Sequence, residues 1–203
     1  MEPNNPIVFI PDAGELTDAF AEVVNMLPAG VKPRIAPWEG TAEAGQAHVE
    51  NLLDKHELRR IILVGGGRGA AVALRIAQAQ PGRITHLVLD SPAISLDEQG
   101  RRVGRALKKI PGFLLRGRKK ELVSHVDELS NSTAADYADV GIPTLVISGS
   151  RYPLPGAKDL VGTLPRAVGV TIEGAGLRTY TTHPADFSAE VARFLHTGSA
   201  DQV

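Results

Sequence analysis

Short apolar runs alternate along the chain with stretches whose apolar residues recur at helical spacing. Pro6 to Ile10 predicts a strand, closed by Pro11, Asp12, Ala13 and Gly14. Residues 15–27 place Leu16, Phe20, Val23, Val24 and Leu27 on one face of a helix. Lys32 to Pro37 predicts a second strand. Pro33 and Pro37 put it at a sheet edge, because proline cannot donate to a ladder. A helix is predicted over 42–57. Arg60 to Val64 then forms a continuous aliphatic run of the kind a parallel sheet buries on both faces.

Glycines 65, 66, 67 and 69 follow directly, and a small-residue helix runs from Ala70 to Gln80 until Pro81 and Gly82 stop it. Thr85 to Asp90 predicts the next strand, ended by Ser91 and Pro92. Residues 97–137 interrupt the alternation with polar, basic, helical segments. It resumes with a strand over 143–148, a helix over 157–164, a strand over 168–173 and an amphipathic last helix over 185–195. Five or six strands separated by helices predict a mostly parallel sheet covered on both faces. Ligand sites in such sheets lie at the carboxyl ends of the strands. The loops at 11–14, 65–69, 90–92, 149–153 and 174–178 are therefore the ones to inspect.

Composition removes several function classes. The 203 residues fit one domain carrying a small insert, and 43% are hydrophobic. The net charge of −1 gives no overall pull toward polyanions. The chain has no cysteine, which excludes disulfides and thiolate metal sites, and no metal ligand set or cofactor is expected. No signal peptide or long apolar span is visible, so a soluble, cytoplasmic protein is expected.

Segments 62–77, ILVGGGRGAAVALRIA, and 81–93, PGRITHLVLDSPA, resemble the strand, nucleophile elbow, helix and next strand of the α/β-hydrolase fold family. Segment 141–149, GIPTLVISG, resembles the strand before that family's catalytic acid. Gly174-Ala175-Gly176 resembles the turn before its histidine, and His183-Pro184 with the final helix resembles its ending. The resemblance covers nearly the whole chain. It implies one α/β-hydrolase-like domain over 1–203, with a short helical cap inserted at about 94–138.

The family's chemistry needs Gly-x-Ser-x-Gly at the elbow. Here that pattern reads Gly65-Gly66-Gly67-Arg68-Gly69, with Gly67 at the serine position. The resemblance places Tyr152 at the acid position and Leu177 at the histidine position. Where His-Gly usually opens the oxyanion loop, this chain has Pro11-Asp12. Without a nucleophile no covalent intermediate forms, and without its base none is activated. An acidic Asp12 beside the oxyanion hole is also expected to repel a developing oxyanion.

These positions imply a pseudo-hydrolase that binds a small-molecule ligand or protein partner. The expected pocket is Pro11, Asp12, Gly66, Gly67, Arg68, Ser91, Tyr152, Leu177 and Tyr180, with the basic cap as the other candidate surface. Two alternatives stay open. One is non-triad chemistry, as in a cyclase or lyase using Asp12, Asp90, Tyr152 or Tyr180, or an esterase or thioesterase with a displaced nucleophile. For the latter, Asp90, Ser91 and His183 are the substitutes. The other is nucleotide binding at the Gly65–Gly69 loop, which follows a strand and opens a helix.

Charge is concentrated despite the near-neutral total. Residues 101–120 hold Arg101, Arg102, Arg105, Lys108, Lys109, Arg116, Arg118, Lys119 and Lys120, nine of the 22 Lys and Arg. Val103, Ala106, Leu107 and Ile110 share a helical face there. Such a helix suits an anionic membrane surface or an acidic partner, or it simply covers the domain with its charges in water. Nucleic acid is not expected, because Phe113 is the single aromatic of the basic run.

Overall fold

The computed structural model describes residues 5–28, 31–96, 98–115, 119–151 and 155–197. Six strands form one sheet: β1 (Ile7–Ile10), β2 (Arg34–Ile35), β3 (Ile61–Gly66), β4 (Ile84–Asp90), β5 (Thr144–Gly149) and β6 (Ala167–Ile172). Their order is β2-β1-β3-β4-β5-β6, and every neighbouring pair is parallel.

Side chains alternate across a strand, so each strand feeds two cores. Ile7, Phe9, Ile62, Val64, Val88, Leu145 and Ile147 face one side. They pack under α1 (Ala21–Asn25), α7 (Thr179–Thr182) and α8 (Pro184–Thr197), whose Val23, Tyr180, Phe187 and Val191 complete that layer. Val8, Ile10, Leu63, Leu87, Leu89 and Val146 face the other side. Against them lie α2 (Ala42–Lys55), α3 (Gly69–Ala79) and α6 (Pro155–Thr163). Each Leu, Ile or Phe taken fully out of water contributes about 2 kcal/mol, so these two layers decide the fold.

The remaining helices, α4 (Glu98–Lys109) and α5 (Lys119–Asn131), form a pair between β4 and β5. A 3₁₀ turn at Gly112–Leu115 follows α4, and another at Ala134–Tyr137 follows α5.

Two expected elements come out shorter. The helix over 15–27 forms only at Ala21–Asn25. Ahead of it, Asp12 N–H donates to Glu15 Oε2 and Glu15 N–H to the Asp12 carbonyl, which winds the segment into a turn and leaves Leu16 70% exposed. The second strand pairs only at Arg34 and Ile35, since Pro33 and Pro37 bracket it without donors. β3, by contrast, runs two residues past Val64 into Gly65 and Gly66.

Candidate functional site

The strand order reverses at β1. Its neighbours β2 and β3 lie on opposite sides, so the carboxyl ends of β1 and β3 form the switch point at which such sheets place their sites. The loops after those two strands, Pro11–Gly14 and Gly67–Gly69, meet there. α3 starts immediately at Gly69, whose missing side chain lets the Ile10 and Pro11 carbonyls approach. A Cβ on Gly69 would fall 2.3 Å from the Ile10 oxygen.

Gly67 is the bend itself. Its φ is +56°, a conformation that disfavours side chains. Its N–H donates to the Asp90 carbonyl at 2.9 Å, and its carbonyl accepts from Ala93 N–H at 3.0 Å. The bend is thereby tied to the loop after β4. A Cβ on Gly67 would lie 2.8 Å from both Cγ and Oδ2 of Asp12. The space a side chain at the bend would enter is filled by that carboxylate.

Asp12 is held there by two backbone donors. Its Oδ1 accepts from Ala13 N–H at 2.9 Å and from Arg68 N–H at 3.1 Å. In acyl-transfer enzymes of this architecture the oxyanion hole is the N–H of the residue after the nucleophile together with one from the loop after an early strand. Here Arg68 N–H and Ala13 N–H converge on one Asp12 oxygen. Sequence reasoning sets Asp12 near these amides as a repelling charge; in the structure its Oδ1 is hydrogen-bonded to both. The N-terminus of α3 adds its partial positive charge to the same point.

Glu15 braces the loop from behind. Its Oε2 accepts from Asp12 N–H at 3.0 Å and from the Tyr180 hydroxyl at 2.6 Å, while its Oε1 takes an ion pair from Arg178. Tyr180 is 1% exposed and stacks on Phe20 at 4.1 Å between ring centroids. Burial drives its hydroxyl well above the ordinary phenol range, and the Glu15 carboxylate reinforces this. Arg178 adopts φ +59°, and its hydrogen bond to Glu15 raises its own pKa. Glu15 and Arg178 escaped sequence reasoning, because they lie 163 residues apart and belong to no motif.

Asp90 is fully buried at the end of β4. Its Oδ1 accepts from Ser91 Oγ at 3.2 Å and Thr179 Oγ1 at 2.9 Å, and its Oδ2 from Tyr180 N–H at 3.4 Å. Burial pushes its pKa up to about 6, with those donors opposing the rise. Ser91 is 2% exposed and its φ is +46°. Among the described residues no hydrogen bond joins His183 to Ser91 or Asp90, and the buried Nδ1 of His183 has no partner.

Of the expected pocket residues, Pro11, Gly66, Gly67, Ser91 and Tyr180 are buried, while Asp12 and Arg68 are partly buried. Leu177 is 44% exposed. Tyr152 lies outside the described residues. Beside the Asp12 loop an open depression of about 360 Å³ is lined by Gly14, Glu15, Leu16, Pro37, Trp38 and His48.

Arg68 reaches from the bend to α5. Its guanidinium donates to the Gly40 carbonyl at 2.7 Å, meets His125 Nδ1 at 3.2 Å and Glu128 at 3.7 Å, and lies 5.2 Å from the Trp38 ring centroid. Trp38 Nε1 donates to the Pro11 carbonyl, and Glu128 Oε1 accepts from Ala42 N–H at the start of α2. A cavity of about 50 Å³ between α5 and α3, bordered by Arg68, Glu128 and Tyr137, has room for roughly one or two waters. Arg68→Ala removes this bridge. The expected result is faster amide exchange along α5 and a global loss of about 2 kcal/mol, with β3 protected as before. Unchanged exchange in α5 would show that the bridge does not hold the helix pair.

The solved structures that resemble this chain include an esterase from Thermogutta terrifontis, at TM-score 0.70 and 17% identity over 96% of this chain and 90% of that one. A hydrolase from Pseudomonas aeruginosa matches at TM-score 0.72 and 20% identity over 94% and 90%, and MenH from S. aureus at 0.75 and 15% over 98% and 96%. The architecture is the α/β-hydrolase fold. At these identities the likeness concerns the fold alone. The α/β-hydrolase-fold chain is also 35% identical over 91 residues to a lipase, LipV, of Mycobacterium tuberculosis. That alignment covers 44% of this chain and 34% of the lipase, so it spans about a third of the relative's length. No family model matches the chain. Among the described residues, no helix is long and apolar enough to cross a membrane, and no group of three or more His, Asp and Glu is placed to hold a metal ion.

Proposed function

We propose that this chain is a pseudo-hydrolase, a protein of the α/β-hydrolase fold that works by binding a ligand or partner. The observation that carries the reading is the Asp12 carboxylate on Arg68 N–H and Ala13 N–H, above a bend whose residue is Gly67. An oxyanion hole stabilises a transition state only if it is empty of charge beforehand. A resident carboxylate cancels that differential stabilisation, and Gly67 offers no hydroxyl. The depression lined by Glu15, Trp38 and His48 is the binding surface next to this bend, and the α4–α5 cap is the second.

The lipase similarity favours a second reading, hydrolysis by a displaced Ser91. Its hydroxyl is committed to Asp90, it is almost completely buried, and among the described residues no imidazole is shown hydrogen-bonded to it. Non-triad acid–base chemistry fares no better. Tyr180 is far from ionising, and Asp90 lies behind Ser91 and Thr179. Nucleotide binding is disfavoured too, since an amide a phosphate would need already serves a carboxylate. Incubation with p-nitrophenyl esters and a fluorophosphonate probe decides between the readings. We expect neither turnover nor labelling, and labelling that vanishes in Ser91→Ala would establish the displaced nucleophile.

A further inference from the structure

The strongest unassigned surface is the outer side of α4 with the turn after it. Residues 101–120 carry nine Lys and Arg and no Asp or Glu, so the rest of the chain is net −10 against a total of −1. Positive charge is therefore concentrated in this stretch of the chain. α4 packs on α5 through Gly104: a Cβ there would lie 2.3 Å from Val126 Cγ1, which is how closely the two helices approach. That contact fixes which way α4 faces. Arg101, Arg102, Val103, Arg105, Ala106, Lys108 and Lys109 are all exposed. Arg102 pairs with Glu98 and Lys108 with Asp127, whereas no ion pair joins Arg101, Arg105 or Lys109 to another described residue.

Large apolar side chains are exposed along the same segment. Val103 is 64% exposed, Phe113 80% and Leu114 61%, the last two on the turn directly after α4. An aromatic and a leucine held in water beside a row of cations lose free energy unless something covers them. A protein core would cover the apolar pair and leave the cations unmatched. A polyanion would match the cations and leave the apolar pair wet. An anionic lipid surface does both, because headgroups lie beside acyl chains within a few ångströms of depth.

We infer that α4 and the Gly112–Leu115 turn form a docking face for anionic membranes, with Phe113 and Leu114 entering the acyl boundary and Arg101, Arg105 and Lys109 lying on the headgroups. α5, the helix beneath, contacts Arg68 at the bend, so a docked molecule turns this end of the sheet toward the lipid.

The test is co-sedimentation of the full chain with vesicles of phosphatidylcholine alone and of phosphatidylcholine mixed with phosphatidylglycerol. Binding to the mixed vesicles that falls with salt is expected, with little to the neutral ones. The Arg101→Gln/Arg105→Gln/Lys109→Gln variant should bind about 100-fold more weakly. The Phe113→Ser/Leu114→Ser variant should lose about tenfold or more. All five positions are exposed, so both variants should unfold at the temperature of the parent. Equal binding to both vesicle types, or none to either, overturns the proposal. So does salt-sensitive binding that the Phe113→Ser/Leu114→Ser variant retains in full. That last result would assign the face to acidic macromolecules.

Discussion

Gly67→Ser is expected to destabilise the fold by about 3 kcal/mol and to bring no ester hydrolysis. A left-handed backbone costs a side-chain-bearing residue about 1–2 kcal/mol. The new Cβ also meets the Asp12 carboxylate at 2.8 Å, and an overpacked contact of that kind adds about 1–3 kcal/mol. The carboxylate cannot simply withdraw, because leaving would strip Arg68 N–H and Ala13 N–H of their acceptor. Asp12→Ala alone should cost about 2 kcal/mol for that loss. The double variant Gly67→Ser/Asp12→Ala should cost less than the two single changes together, by about 1 kcal/mol or more, because the collision disappears. Urea unfolding of the four proteins measures this cycle. Strict additivity would mean that the carboxylate does not occupy the space above the bend.

Asp90 should give the largest pH effect on stability. Its pKa in the fold is about 6, against 3.8 without burial, so the fold favours the neutral acid. The folded chain therefore holds more proton here than the unfolded chain between those values, and stability falls as pH rises through that window. The contribution is fully present below about 3.8 and gone above about 6. It amounts to about 3 kcal/mol. Asp90→Asn cannot ionise and keeps an acceptor for Thr179 and Ser91. Its stability relative to the parent should therefore rise by about 2 kcal/mol between pH 4 and pH 7. Chemical denaturation at both pH values checks this. A constant difference across the range would place the Asp90 titration elsewhere.

Most of the sheet was legible because buried parallel strands are written as uninterrupted aliphatic runs. Arg60 to Val64 and Thr85 to Asp90 needed no tertiary information to be placed, and the glycines between them marked the bend. What could not be read was set by distant partners. Residues 15–20 carry a helical apolar spacing, yet Glu15 is drawn toward Asp12 and Tyr180, and the turn it makes replaces the first helical turns. The candidate site was legible in its residues and not in its contacts. Asp12 and Gly67 were both singled out, but nothing in a linear spacing of 55 residues says that one fills the other's missing side chain. Glu15, Arg178 and the Arg68 bridge to His125 and Glu128 were invisible for the same reason, since each pairing closes only when the chain has folded.

Two N–H groups aimed at one point speed a reaction when that point stays vacant until charge arrives. In this chain the carboxylate of the twelfth residue lodges there. The focused dipoles consequently contribute to cohesion at all times, tying the first strand's loop to the helix that follows the third. That patch of backbone works as a clasp.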